Sequence, residues 1–236
     1  MQCFRLPQGT SDQLNRIHHN FFWKTSSSVK GLPLIAWDTI CKPKSKGGLG
    51  LRKSEAVNLA FQCKLAWRIM MKESSLWIQA MHDKYLGKAP FFEYICKGSD
   101  SMVWRSVLRC RHLLWKGLRW KVGKGDRILF WLDNWLENRS LLEILNLRMD
   151  DISHPYATLS EFITLQKRWD LQKITQMIPN RNIIQQICGI DIPSSNIEDS
   201  LSWGLQSSGV FMTKSATWLA HSTNPLRDMD WAHKWI

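Results

Sequence analysis

An amphipathic helix is predicted for the stretch Ser54–Lys72, which reads SEAVNLAFQCKLAWRIMMK. Ser54 is a good N-cap, because its hydroxyl can accept a hydrogen bond from a backbone N–H of the first turn. At about 100° per residue, one face of this helix collects the apolar side chains. They are Ala56, Leu59, Ala60, Cys63, Ala66, Trp67 and Met70. Such a stripe indicates a helix that packs against a hydrophobic core.

Three further amphipathic helices are predicted, over residues 11–23, 75–85 and 101–115, the last closed by Gly117. Between the first two helices, residues 32–53 are rich in Lys, Pro and Gly, which favours an ordered loop with little regular structure. Short helices are predicted within residues 139–198, including a capping box at Thr158–Glu161 and a helix over Asn180–Cys188. A last short helix is predicted over residues 214–221.

Strand periodicity replaces helical periodicity after Gly117. Apolar positions 118, 120 and 122 alternate with Arg119 and Lys121, a glycine-containing turn follows at 123–126, and alternation resumes to residue 132. This pattern predicts a β-hairpin at 118–132. A second hairpin is predicted over residues 201–212, turning at 207–209. The predicted fold class is therefore mostly α with two β-hairpins (α+β).

The composition is that of a folded protein. The 236 residues are 44% apolar and 22% charged, without a run of 18 apolar residues. The N-terminal residues lack the apolar stretch and cleavage site of a secretory signal, so we expect a nuclear or cytoplasmic protein. Six cysteines without a Cys-x-x-Cys pair fit neither a disulfide scaffold nor a ribbon-type zinc site.

Positive charge is concentrated in the first half of the chain. Residues 1–125 contain 22 Lys+Arg and 7 Asp+Glu, whereas residues 126–236 contain 10 and 13. A basic part of this kind can meet a polyanion, and on net charge we do not expect the near-neutral part to do so. The switch in charge favours a boundary between residues 137 and 158.

Basic side chains recur on one side of two predicted helices and in the loop between helices. Like charges at i,i+4 repel by a few tenths of a kcal/mol, so their persistence favours a phosphate-facing surface; a solvated helix face is the alternative. The candidate nucleic-acid-binding residues are Lys42, Lys44, Lys46, Lys64, Arg68, Lys72, Arg105, Arg109 and Lys116. His112 completes the stripe on the predicted helix 101–115.

The sequence contains only weak matches to known catalytic motifs. Asp150-Asp151 has the residue types of a polymerase metal pair, but Arg148 stands where an aromatic residue is usual and the flanks do not alternate. The histidines lack partners at metal-ligand spacing, and the sequence contains no Gly-x-Ser-x-Gly elbow. The residues therefore predict no catalytic site and no metal site.

The spaced motifs resemble plant LINE-type (non-LTR) retrotransposon polyproteins, whose members are described as reverse transcriptases or ribonuclease H proteins. The resemblance covers almost the whole chain. It is carried by Phe4-x-Leu6-Pro7, Ile17-x-x-x-Phe21-x-Trp23, Trp37-Asp38-x-x-Cys41-x-Pro43-Lys44-x-x-Gly47-Gly48-Leu49-Gly50-Leu51-Arg52, Trp77 with Lys84-Tyr85, Trp104-Arg105-Ser106, Gly117-Leu118-Arg119-Trp120-x-Val122-Gly123-x-Gly125, Trp131-x-Asp133-x-Trp135-Leu136, Asp199-x-Leu201-x-Trp203 and Gly209-x-Phe211-x-x-Lys214-Ser215-Ala216.

The resemblance implies a place between the polymerase palm and the zinc-binding module. Residues 1–137 would be a basic helical thumb-like region and residues 138–236 a near-neutral connector, with Trp231-x-x-x-Trp235-Ile236 similar to the start of the zinc-binding module. The parent polymerase would use Mg²⁺, but no position here matches its catalytic aspartates or zinc ligands. The implied partners are RNA or an RNA–DNA hybrid and the palm and zinc-binding modules, with neither a membrane nor a small-molecule substrate.

Two other interpretations stay open at this point. The chain could be a decayed or domesticated protein-interaction module that buries exposed tryptophans, such as Trp203 or Trp218, against a partner. It could also be a piece that does not fold stably by itself, in which case circular dichroism would show no cooperative melting transition.

Overall fold

The computed structural model describes residues 4–24, 33–87 and 89–222. The chain divides into two compact units, one of Met1–Trp115 with Phe211–Ile236 and the other of Lys116–Val210. Helices dominate, and the described residues contain one two-stranded antiparallel sheet, so the mostly α (α+β) class is confirmed. The division into segments at 137/138 stays a prediction, and the compact units have different bounds.

Helices of the first unit occupy most of the segments that periodicity predicted. The loop between the first two predicted helices also contains a helical turn and a 3₁₀ turn, Lys44–Lys46, and residues 75–85 are completed by a π-helical turn, His82–Leu86. The bounds are α1 Gln8–Phe22, α2 Trp37–Ile40, α3 Ser54–Met70, α4 Leu76–Met81, α5 Met102–Leu108 and α6 Arg111–Gly117.

The apolar stripe of α3 lies in the core of this unit. Cys63 and Ala66 are fully buried, and Trp67 stacks on Phe211 with ring centroids 5.7 Å apart. α3 packs closely against the helix Thr213–Ser222, whose buried residues are the small Ala216, Thr217 and Ala220. Small side chains allow two helices to approach closely, which explains why this late segment belongs to the first unit.

The predicted helix 101–115 is wrong as one continuous element. α5 ends at Leu108 and α6 begins at Arg111. At the break, the Cys110 N–H donates to Val107 O at 3.2 Å, an i→i+3 bond that tightens the turn. Cys110, Leu113 and Leu114 are all fully buried. Core packing therefore redirects the chain at a point where side-chain periodicity continues.

Helices of the second unit are short and capped by side chains. The predicted capping box is confirmed, since Glu161 Oε1 accepts from the Thr158 N–H at 2.8 Å at the start of the 3₁₀ helix Leu159–Phe162. The other elements are α7 Leu141–Ile144, a 3₁₀ turn Met149–Asp151, α8 Leu171–Met177 and α9 Arg181–Cys188; the helix Thr213–Ser222 of the first unit is α10.

The two strands of the sheet come from opposite ends of the sequence of the second unit. β1, Leu118–Lys121, runs antiparallel to β2, Ser200–Trp203, with Leu118 opposite Trp203 and Lys121 opposite Ser200. Within the described residues neither predicted hairpin forms. β1 takes a partner about 80 residues away, and residues 128–132 contribute only an isolated bridge between Leu129 and Thr158.

A buried carboxylate explains this pairing. Asp199 Oδ1 accepts from the backbone N–H groups of Gly123 at 2.7 Å and Gly125 at 2.9 Å, and Oδ2 accepts from the Arg127 N–H at 3.0 Å. The predicted turn is present, with Gly125 at φ +78°, but its donors are satisfied by Asp199 rather than by a hairpin partner. Because Asp199 directly precedes β2, these hydrogen bonds hold β2 beside β1.

Aromatic side chains fill the core of the second unit. The rings of Phe130 and Phe162 are stacked 3.8 Å apart, and Trp135 stacks on Trp169 at 5.6 Å. Trp203 is fully buried. A Cβ added at Gly117 would overlap the ring of Trp203, so only glycine fits at this position. These tryptophans are core anchors, as composition favours.

One buried acid makes stability depend on pH. Burial raises the pKa of the Asp133 carboxyl to about 6, although Leu129 N–H donates to it at 2.7 Å. The folded state therefore holds the proton more tightly than the unfolded chain does. The free energy of unfolding should fall by about 3 kcal/mol as pH rises from about 4 to above 6.

Urea unfolding between pH 4 and 7 measures this dependence. Asp133→Asn should remove most of the decrease, since its amide does not ionise. Equal slopes for the wild type and Asp133→Asn across this range would contradict the assignment.

Candidate nucleic-acid interface

The loop lysines stand on a closed turn, which we call the lysine loop (Lys42–Gly50). Its backbone is tied by the Gly48 N–H to Pro43 O at 3.1 Å and the Gly50 N–H to Lys42 O at 2.9 Å. A Cβ at Gly48 would overlap the Lys42 carbonyl, so glycine is required there. The loop presents the exposed side chains of Lys42, Lys44 and Lys46.

The cations of α3 differ in availability. Lys64 is exposed, whereas Arg68 Nε lies 2.6 Å from Glu73 Oε2, so a neighbouring carboxylate compensates that charge. Lys72 lies beyond the end of α3, in a left-handed conformation with φ +50°. Of the three, Lys64 is therefore the helix position best placed to meet a phosphate.

The break between α5 and α6 divides the second predicted stripe. Arg105 donates through Nη2 to Gly98 O, and Arg109 is exposed at the turn. His112 is buried, with Nδ1 3.0 Å from Arg109 O, so its predicted place on an exposed face is wrong. Lys116 is half-buried and is the first residue of the second unit.

Arg111 is a cation that does not face solvent. Its Nη1 donates to Tyr94 O at 2.6 Å, and its guanidinium carbon lies 5.2 Å from the centroid of the Phe91 ring. Burial lowers the pKa of Arg111 to about 10, so it stays protonated at pH 7. Its role is to hold the segment before α5 against α6.

The first unit carries the whole net positive charge of the chain, and the second unit carries no net charge. By sequence, the first unit contains 21 Lys+Arg and 9 Asp+Glu, and the second contains 11 of each. Among the described residues, Lys42, Lys44, Lys46, Lys64 and Arg109 make no ion pair. The first unit can therefore offer uncompensated positive charge to a polyanion.

A cavity in the second unit was missed by sequence reasoning. It has a volume of about 720 Å³ and is lined in part by Arg119 and Lys121 of β1 and by Ser200 and Ser202 of β2. Alternation along 118–122 did place both cations on one face. The cross-strand partners could not be found locally, because they lie about 80 residues later.

The acidic and histidine side chains do not assemble into a metal site in the part of the chain that the structure describes. Asp151 instead accepts from the Arg148 N–H at 2.9 Å, in the turn that also contains Asp150. None of the described helices is long and apolar enough to cross a membrane. The predicted start of the zinc-binding module, Trp231–Ile236, lies outside the described residues.

Comparison with known proteins places the chain among plant relatives. The "Putative ribonuclease H protein At1g65750" of Arabidopsis thaliana is 29% identical over 219 residues, which are 92% of this chain and 35% of that protein. The "Uncharacterized mitochondrial protein AtMg00310" of the same plant is 30% identical over 147 residues, 62% of this chain and 96% of that protein.

Other comparisons add no further relative. No family model matches the chain, and no solved structure matches it. The chain spans about a third of the length of the ribonuclease H protein relative and nearly all of the mitochondrial one. It is a retrotransposon-related protein and belongs to the family of the uncharacterized mitochondrial protein AtMg00310.

Proposed function

We propose that the chain is a non-catalytic part of a LINE-type reverse transcriptase that binds its RNA template or RNA–DNA hybrid. Binding would use the first unit, through the lysine loop, Lys64 and Arg109. The motifs that resemble LINE-type polyproteins support this assignment, together with the relationship to a protein named for ribonuclease H. Palm and zinc-binding modules of a parent polyprotein would be its neighbours, in the nucleus or cytoplasm, and Mg²⁺ would act in the palm.

The concentration of the whole net charge of +12 in the first unit carries the proposal. When exposed lysines without carboxylate partners neutralise phosphates, the nucleic acid releases its condensed counter-ions, and this release favours binding. Recognition would follow the shape and charge of the duplex, since contacts of cations with phosphates position a protein on nucleic acid but carry no sequence information directly.

Substituting the three loop lysines together tests the lysine loop. Lys42→Ala, Lys44→Ala and Lys46→Ala should weaken binding of an RNA–DNA hybrid and flatten its salt dependence. The log–log slope should fall by up to about 0.7–0.9 for each phosphate that is no longer neutralised, roughly two in total or slightly more. Fluorescence anisotropy with a labelled hybrid, from 50 to 300 mM salt, measures both quantities.

A charge-matched control is available in the second unit. Arg148→Ala, Arg168→Ala and Arg181→Ala also remove three exposed positive charges, and they should leave the slope unchanged. If both triple variants lose affinity equally, the effect is one of net charge and the lysine loop is not the binding surface.

A protein-interaction role is the second candidate function. It is favoured by α1, on which Ile17 is 61% and Phe21 82% exposed. The two tryptophans suggested for this role by the sequence are less accessible to a partner than Ile17 and Phe21. Trp203 is fully buried, and the ring of Trp218 lies beside Gly50. Binding to hybrid that is weak and independent of salt would favour this second candidate.

A further inference from the structure

Both strands of the two-stranded sheet line an open cavity of about 720 Å³, together with Trp120 and Trp135 of the aromatic core. Side chains alternate in a strand, so Leu118 and Trp203 point to the core while Arg119 and Lys121 share the other face. Residues from segments 190–198 and 204–209 also line the cavity. The result is a groove, which we call the sheet groove, formed within the second unit.

The polar groups of the sheet groove suit an anion. Arg119 lies opposite Ser202, and Lys121 lies opposite Ser200. Ser202 Oγ donates to Arg119 O at 3.0 Å, which fixes this hydroxyl and leaves the two cations as the principal donors. Glu198 at the rim is paired with Lys124, so its charge is compensated.

The remaining carboxylate at the rim decides the kind of anion. Asp191 is exposed and also lines the groove, where it would repel a diffuse negative charge. Two cations two residues apart along a strand are separated by about 7 Å, at roughly 3.4 Å per residue. That spacing is close to the separation of successive phosphates in an extended nucleic-acid strand, so a linear ligand can meet both cations and pass Asp191.

The size of the groove favours a single strand over a duplex. Cavities of about 300–1,000 Å³ hold one small-molecule-sized group, here one or two nucleotides. A duplex is too wide to enter such a space. Basic grooves that follow a phosphate backbone are the common feature of proteins that bind single strands without sequence preference.

We propose that the sheet groove binds the sugar-phosphate backbone of single-stranded nucleic acid, with successive phosphates at Arg119 and Lys121. This site lies on the second unit and goes beyond the proposed function, which assigns the RNA template or RNA–DNA hybrid to the first unit. It does not require the lysine loop to bind RNA, so each proposal can fail without the other.

The full-length chain and a 12-nucleotide single-stranded RNA with 4-thiouridine at each end and in the middle provide the test. Arg119→Met keeps the aliphatic stem beside Gly204, and Lys121→Ala removes an exposed ammonium. Each should weaken binding by about fivefold at 0.1 M salt, from a slope of about 0.7 per neutralised phosphate. Photo-crosslinks should map by mass spectrometry to peptides that contain residues 119–122 and 190–209.

Control variants separate the sheet groove from the lysine loop. Arg168→Ala removes an exposed charge of the same unit outside the groove and should leave affinity unchanged. The triple variant of the lysine loop should keep the crosslinks in the groove, even if it no longer binds the hybrid. Unchanged affinity in both groove variants, with crosslinks elsewhere, would overturn the proposal. Equal displacement of the RNA by a polyglutamate peptide of the same charge would overturn it too.

Discussion

Replacement of Asp199 by alanine should lower the free energy of unfolding of the second unit by about 3–5 kcal/mol. The carboxylate is 3% exposed and accepts three backbone N–H groups, from Gly123, Gly125 and Arg127. Each buried donor left without an acceptor costs about 1–3 kcal/mol. Since domains are stable by about 5–15 kcal/mol, this one change can unfold the unit.

Hydrogen exchange on the full chain measures the effect locally. The amides of Gly123, Gly125 and β2 should lose protection in Asp199→Ala while α3 keeps it. Asp199→Asn retains one acceptor oxygen and should fall between the wild type and alanine. Asp150→Ala, which removes an exposed acid of the same unit, is the matched control. Protection of these amides in Asp199→Ala at the wild-type level would refute the role given to Asp199.

Gly117→Ala should destabilise the second unit by about 2–3 kcal/mol, against the trend for a helical glycine. In a helix, alanine is favoured over glycine by about 1 kcal/mol. At Gly117 the added methyl would overlap the ring of Trp203, which is fully buried and cannot move aside without disturbing the core. Overpacking of this kind typically costs about 1–3 kcal/mol or more. This cost outweighs the helical preference for alanine, so the substitution should lower stability.

Urea unfolding followed by tryptophan fluorescence tests this prediction. Gly98→Ala is the control, because a Cβ at Gly98 meets no atom within 4 Å. It should change stability by less than about 0.5 kcal/mol. A Gly117→Ala variant as stable as the control would show that the ring of Trp203 can shift at little cost.

Local signals in the sequence were sufficient to predict most of the helices. The stripe on Ser54–Met70, the capping box at Thr158, the helix over residues 180–188 and the helix near residue 214 depend on residues within one or two turns, so their patterns are complete in a short window. The break after Leu108 could not be found in this way. It depends on the burial of Cys110 against Leu59 and Gln62 of α3, about 50 residues earlier.

Long-range pairing explains the failure of the hairpin predictions. The turn near Gly125 has the residues of a hairpin turn, and nothing within ten residues indicates that Asp199 will occupy its donors. For the basic residues, composition showed which half of the chain carries the charge. It could not show that Glu73 compensates Arg68 or that His112 is buried. Whether the cations bind a nucleic acid stays a prediction.

The position of α10 has a consequence for synthesis of the protein. Its buried residues pack on α3, yet the whole second unit is encoded between them. A ribosome must therefore finish residues 116–210 before the first unit can close. A premature stop codon before residue 200 would remove β2 and with it the sheet, and a stop anywhere in that stretch would also leave α3 without the helix that packs on it. Shortened copies of this gene that end before residue 213 would thus encode chains prone to aggregation and degradation, whatever their remaining basic residues.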